Sequence, residues 1–257
     1  MSLRKSQAWW ALVVGLGAVG CGDEVHAVPS HEINTRRVRA EISVVAESAD
    51  TATVVAWLFR NNDTLDLSDE DTLVARHGVF SVEMARVHQE LPATWAGFKF
   101  GDEVHYAAVF DGAEAESTFE VSFFRASDGN GGSGESAPFS VVSLPGPFEV
   151  KAPEEDATIQ ADEKLLVEWS EAEENDEMEI AVRGDCIDEQ TLAAVSGKGK
   201  VTLPGSIFQR TDDGDDTCHI TLTVSRVREG DLDEHFGDGG FIDARQIRTV
   251  HLRLKGA

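Results

Sequence analysis

From residue 38 to residue 254 the chain repeatedly alternates β-branched or aromatic residues with polar ones, and helical periodicity is nearly absent. Side chains along a strand point to opposite faces with period two, so each such run reads as a strand with one buried face. In the first half the runs lie at 38–46, 53–59, 79–87, 103–110 and 118–125, with a shorter one at 72–76. In the second half they lie at 148–152, 164–169, 177–183, 199–203, 219–227 and 247–254. Turn formers separate them: Asn61-Asn62-Asp63, Asp111-Gly112, Asp213-Gly214 and Gly239-Gly240. Strands at this spacing, with no helices between them, predict an all-β fold built of antiparallel β-sandwiches.

A chain of 257 residues exceeds what one small core organises, and two domains of about 100 residues each are expected. The two halves read as distant copies. Thr118-Phe-Glu-Val-Ser-Phe-Phe-Arg125 and His219-Ile-Thr-Leu-Thr-Val-Ser-Arg226 are both alternating strands ending in Arg, each followed by a glycine-rich loop and a further extended segment. Upstream, Val54-Val-Ala-Trp57 and Leu166-Val-Glu-Trp169 each end in a Trp suited to plugging a core. Between the halves, Ser143-Leu-Pro145-Gly-Pro147-Phe148 makes a short, stiff junction, since proline fixes its own backbone and restricts its neighbour's. The expected tandem sandwiches are therefore 36–146 and 147–257. The run Asp128-Gly-Asn-Gly-Gly-Ser-Gly-Glu135 has the composition of a domain linker. The repeat makes it a hairpin loop inside the first sandwich instead.

The chain opens with a basic head, Arg4 and Lys5, then an apolar or glycine run from 8 to 20, then Ala18-Val19-Gly20-Cys21. The run is too short to span a bilayer and has the length of an export signal's apolar region. With Cys21 directly after small residues, it resembles the lipobox of bacterial lipoprotein precursors. That resemblance implies removal of the signal peptide 1–20, lipidation of Cys21 and anchoring of the mature chain in a membrane of the bacterial cell envelope. Residues 21–35 are then a lipidated tether, of which 22–35 extends up to about 50 Å at about 3.3–3.6 Å per residue. Gly22 rather than Asp follows Cys21, which favours the outer membrane in a Gram-negative cell. Gly15-Leu-Gly17-Ala-Val-Gly20 matches a dinucleotide-binding pattern but sits inside the export signal, without the βαβ unit that pattern needs.

Asp and Glu number 47 against 22 Lys and Arg, for a net charge of −25 at pH 7. A surface of that sign repels nucleic acid and anionic lipid headgroups. Cys186 and Cys218 remain once Cys21 carries lipid, and in an exported chain they read as one disulfide. A metal or redox pair lacks the C-x-x-C spacing and paired histidines.

The second half, notably Leu165-Leu-Val-Glu-Trp169, resembles an immunoglobulin-like or fibronectin-like module, although no cysteine of that half precedes the Trp to make the usual inter-sheet bridge. Gly230-Asp-Leu-Asp233-Glu-His-Phe236-Gly237-Asp-Gly-Gly240 is similar to the signature of the bacterial delta-60 repeat, here in a single copy. A single copy cannot stack into a propeller or solenoid. Its physical reading is a structured hairpin loop with Leu232 and Phe236 tucked inward and glycines supplying positive φ. The arrangement as a whole resembles bacterial lipoproteins of unassigned function.

No nucleophile elbow G-x-S-x-G, no H-E-x-x-H among the eight histidines and no complete P-loop occurs. No catalytic residue and no cofactor are expected. Calcium is the exception worth weighing, because it takes 6–8 oxygen ligands and clustered Asp residues supply them. Asp212, Asp213, Asp215 and Asp216 are the densest cluster, and Asp231, Asp233 and Asp238 a second. Neither fits the EF-hand pattern, and the favoured reading of both is a solvated turn. The expectation is an exported, lipid-anchored envelope protein of structural or interaction type, with an envelope protein as partner. The alternatives are a calcium- or ligand-binding module and, third, an enzyme of unrecognised type.

Overall fold

The computed structural model describes residues 27–68, 70–87, 104–126, 135–170, 176–195, 199–211 and 217–256. Regular structure in them is β-strand, apart from single 3-10 turns at Ser30–Glu32, Thr35–Arg37 and Gly205–Phe208. The chain is all-β, as its period-two patterning predicts.

The described residues of the first half contribute ten strands: β1 (Ala27–Pro29), β2 (Arg39–Ala46), β3 (Thr51–Arg60), β4 (Asp63–Asp66), β5 (Thr72–His77), β6 (Phe80–Glu83), β7 (Ala85–Val87), β8 (His105–Asp111), β9 (Thr118–Phe124) and β10 (Ala137–Ser143). Strands β10, β9, β5 and β6 form one sheet in that order, while β2, β3 and β8 belong to the other. Inward residues of both, among them Ile42, Val54, Leu58 and Phe110 from one and Leu73, Phe119, Val121 and Phe123 from the other, merge in one buried cluster. This is a β-sandwich. Strands β9 and β10 pair antiparallel, and the glycine-rich run between them lies, from 128 to 134, outside the described residues.

The second half repeats the plan. Strands β11 (Val150–Ala152), β13 (Leu165–Trp169) and β16 (Lys200–Leu203) form a small sheet. Opposite lie β14 (Glu177–Gly184), β15 (Ile187–Val195), β17 (Thr217–Glu229) and β18 (Phe241–Lys255), with β12 (Thr158–Gln160) added in parallel at the far end of β18. Val167, Trp169 and Leu203 pack there against Ile180, Val182, Leu222 and Leu252.

What joins the halves is β18. Its last residues serve the second core, but Phe241 to Gln246 run parallel to β2, with Phe241 opposite Glu41 and Gln246 opposite Ala46. The principal sheet is thereby continuous through both halves, with eleven strands. The β17–β18 hairpin carries its tip onto the first sandwich, where Ile242, Ala244 and Phe236 enter the first core and Phe236 stacks on Phe123 at 5.9 Å. The hydrophobic boundary therefore does not coincide with the Pro145–Pro147 junction.

Several expectations need correction. The run 79–87 is two strands, β6 and β7, in different sheets, because the chain crosses at Met84, whose N–H bonds Leu73 instead. The stretch expected to be a free tether up to residue 35 is folded from Ala27 onward. There β1 pairs with β4, Ile33 is buried, and Ser30 donates to Asp71 at 2.6 Å while its carbonyl accepts from Arg125. Three residues beside a parallel neighbour leave no periodicity to read. The two Trp residues are not equivalent either. Trp169 fills the second core, whereas Trp57 lies mid-strand on the other face of β3, in a separate cluster with Val45, Val55, Phe59 and Ile247. Both faces of β3 are buried, which explains its unbroken apolar run. Cys21 lies outside the described residues, as does the whole export-signal segment.

Candidate functional site

Among the described residues, the densest polar chemistry is a set of arginines where the halves meet. Strand β17 places Arg226 and Arg228 at its end, and β18 supplies Arg245 and Arg248. Arg226, only 2% exposed, donates to the carbonyls of Gly146 (3.0 Å), Pro147 (3.3 Å) and Ser170 (3.3 Å). Arg248 donates to the carbonyls of Phe148 (2.9 Å) and Glu47 (3.1 Å). Both guanidinium groups lie over the Phe148 ring, at 5.1 and 5.3 Å from its centre. The inter-half segment 146–148 is thus gripped from two sides. Burial, and the positive charge of Arg226 beside it, push the Arg248 pKa below the usual arginine value, with Glu149 opposing.

Carboxylates complete the junction. Buried Asp176 accepts from Arg228 at 2.9 Å and faces Arg226 at 3.9 Å. Arg228 also reaches Glu116 of the first half at 2.7 Å. Arg245 pairs with Asp243 (2.8 Å) and Glu179 (3.1 Å), and Asp243 in turn accepts from Ser43 of β2 at 2.6 Å. Burial alone would lower the pKa of Arg228 and of Arg245. Their carboxylate partners outweigh it and hold both above the usual value. These groups wall an open cleft of about 750 Å³ that Glu177, Glu229 and Phe241 also line. Its two arginines are already neutralised by fixed partners, and the arrangement positions strands. Sequence reasoning missed it. The one available signal was the Arg closing each alternating strand, and nothing local names the carbonyls that Arg226 meets.

A second polar centre holds the hairpin tip. The Asp233 carboxylate accepts from the N–H groups of Phe139 (2.7 Å) and His235 (2.9 Å), and contacts the His235 ring at 2.7 Å. Burial would raise its pKa, but those donors outweigh it and hold the carboxyl below its ordinary 3.8. A depressed carboxyl pKa stabilises above the unfolded value, and that contribution vanishes as pH falls through the folded one. The docked tip is therefore expected to loosen below about pH 4, and Asp233→Asn, which has one acceptor oxygen where two are used, to loosen it already at pH 7. Amide protection at 230–240, taken relative to the intrinsic exchange rate at each pH, measures this; protection there that stays unchanged from pH 7 to pH 3 would refute it.

The glycines of this loop do something other than expected. Among them only Gly239 has positive φ, at +81°. A Cβ at Gly230 would stand 2.3 Å from the Val141 carbonyl oxygen, one at Gly237 2.8 Å from that of Arg36, and one at Gly240 2.4 Å from that of Ala40. They permit close approach to the first sandwich. Leu232 and Phe236 do point inward.

Of the residues singled out in the sequence, Cys186 and Cys218 are bonded to each other, tying the β14–β15 turn to the start of β17. Their sequence separation of 32 closes a loop worth about 3–4 kcal/mol in the chain-entropy model. Replacing both by Ser is expected to lower stability by about that amount with the β-sheet signal retained, and a melting curve unmoved by the substitution would contradict it. Asp212, Asp213, Asp215 and Asp216 lie outside the described residues. Among the described residues no group of three or more His, Cys, Asp or Glu stands close enough to hold a metal ion, and Asp233 of the second cluster already has internal donors. Nor is any helix among them long and apolar enough to cross a membrane.

No family model and no curated protein matches the chain. Solved structures do. The chain is similar to the FN1–FN3 domains of chicken CNTN1, at 12% identity and TM-score 0.22, over 85% of this chain and 66% of that one. It is similar to the fibronectin(III)-like modules of Clostridium thermocellum CbhA, at 11% identity and TM-score 0.26, over 85% and 95%. A third likeness is to the Yersinia pseudotuberculosis adhesin InvE, at 10% identity and TM-score 0.22, over 87% and 60%. At these TM-scores the sandwich assignment rests on the strand pairing described above.

Proposed function

We propose that the chain is an exported, lipid-anchored protein of the bacterial cell envelope, of structural or interaction type rather than an enzyme, acting as a stiff spacer. Its first sandwich sits near the membrane and its second is held out toward an envelope partner. The observation that carries this reading is the path of β18, one strand shared by both halves. A tandem joined only through Pro145 and Pro147 could bend there. Here a continuous ladder and the arginine grip on residues 146–148 oppose bending. The lipobox resemblance at Cys21 supplies the anchor, and an outer-membrane position follows Gly22 in a Gram-negative cell. Two or three acyl chains are what make such an anchor stable, since one binds only marginally.

Two measurements test it. Intact mass of the mature protein should show lipid on Cys21, and Cys21→Ser should leave the detergent phase; a mature chain free of lipid would remove the anchor. Spin labels on the two halves should give one narrow distance distribution. A broad one would remove the spacer.

A further inference from the structure

We infer that the parallel β2–β18 ladder is a mechanical clamp, by which the molecule bears tension drawn between its N-terminal end and its second sandwich. The inference rests on the reading of the chain as an anchored spacer, whose two attachments are what pull on it.

The first reason is where the strand ends lie. Phe241 to Gln246 of β18 run beside Glu41 to Ala46 of β2 in the same direction. At the entry end the Gly237 N–H donates to the Val38 carbonyl at 2.8 Å, which sets the starts of the two strands side by side. Strand β18 then continues past β2 to Lys255, about 30 Å further at about 3.3 Å per residue. An attachment upstream of β2 therefore pulls that strand from its first residue, and whatever holds the second sandwich pulls β18 toward its last. Parallel strands pulled from opposite ends slide along each other, and the evenly spaced bonds between them are all stretched at once. The same strands pulled apart from one end separate one bond at a time.

The second reason is the path the tension takes. Strand β18 passes from the first core to the second as one covalent segment. Thirteen register pairs tie it to β17, and six tie it to β2. The second sandwich is thus fastened to β18 by the longer ladder, and the shorter parallel one is the non-covalent link in series with it. On its other flank β2 is seated in the first sandwich by antiparallel pairing with β3, from Arg39 to Val45. Upstream, β1 meets β4 over three residues only and yields before β2 does.

The third reason is what backs the ladder. Every residue of β2 after Arg39 is buried, so water is kept from the bonds as they stretch and does not replace them. Side chains cross-link the same two strands. Ser43 donates to Asp243 at 2.6 Å, and Arg248 donates to the carbonyl of Glu47, just past the end of β2, at 3.1 Å. Ile42 and Val44 of β2 share the first core with Ile242 and Ala244 of β18. A slip of one residue puts those side chains on the wrong face, so the ladder has no neighbouring register to slide into.

The test pulls single molecules of the whole mature chain, with Cys21→Ser and with Cys186 and Cys218 bridged, in two geometries. Handles on Arg37→Cys and Lys255→Cys draw β2 and β18 past each other. Handles on Arg37→Cys and Asp238→Cys peel the same ladder from its entry end. All three positions are exposed, so the fold is the same in both pulls. Forced unfolding reads the barrier to unfolding, and at one pulling speed the sliding geometry is expected to need several times the force of the peeling one. In the sliding geometry a length gain matching residues 38–147 should precede any from the second sandwich. Equal rupture forces in the two geometries overturn the clamp, and so does a sliding trace in which the second sandwich unravels first. Neither pull uses the lipid. A mature protein without lipid on Cys21 therefore removes the anchored-spacer reading, and the tension with it, while leaving these forces as measured, so the two failures are told apart.

Discussion

A fragment ending at Gly146 is expected not to fold, whereas one beginning at Pro147 should keep its own core. The asymmetry follows from where the β17–β18 hairpin sits. Cutting after Gly146 strips the first sandwich of Phe236 and Ile242, each worth about 1.5–3 kcal/mol when fully buried. It also removes the β18 partner of β2 and the Asp243 acceptor of buried Ser43. Together these approach the whole stability of a typical domain, about 5–15 kcal/mol. The uncovered edge of β2, buried along nearly all of its length in the intact chain, would then invite edge-to-edge association. The second half loses none of the residues that build its own cluster, from Phe148 to Leu254. In it the amides of residues 228–246 should exchange rapidly while those of β14 and the outer part of β17 stay protected. Circular dichroism, sedimentation and hydrogen exchange on the two fragments would check this. A soluble first half with a cooperative melt would show that the shared strand is dispensable.

Replacing Gly240 by Ala should be among the most damaging single substitutions in the chain. The new Cβ would stand 2.4 Å from the Ala40 carbonyl oxygen and 2.8 Å from the Leu232 side chain. Ala40 is locked in β2 between β3 and β18, so the backbone cannot yield without breaking a ladder. A cost of about 3–4 kcal/mol is expected, at the upper end of what overpacking usually does. At Gly239 the nearest atom to a Cβ is 3.7 Å away, and only the positive φ opposes Ala, for about 1–2 kcal/mol. Urea unfolding of the two variants should therefore rank Gly240→Ala well below Gly239→Ala. The reverse order would mean that backbone conformation, and not close approach, governs the loop.

The sequence by itself determined the strands and their faces. Period-two alternation is a property of the backbone, so 118–125, 164–169, 177–183 and 219–227 were legible as half-buried strands to within a few residues of their ends. The repeat between Thr118-to-Arg125 and His219-to-Arg226 was legible for the same reason: both segments are strands, β9 and β17, each paired antiparallel with the strand that follows it. With Cys21 set aside by the lipobox resemblance, Cys186 and Cys218 were the expected pair, and they are bonded. Tertiary structure alone decided what each face meets. Alternation reports that a side is buried, not by which partner, and so β3, buried on both sides, left Trp57 looking like the twin of Trp169. No local pattern encodes a parallel register between residues some 200 positions apart, such as Asp243 beside Ser43. The same holds for Arg226, whose partners are backbone carbonyls that any residue could present. The tether was misread because residues 27–35 are ordered by neighbours distant in sequence, through Asp71, Arg125 and β4. Local stereochemistry settles whether a segment is extended; contact free energy between distant segments settles which extended segments share a sheet, and here that decision ran one sheet through both sandwiches.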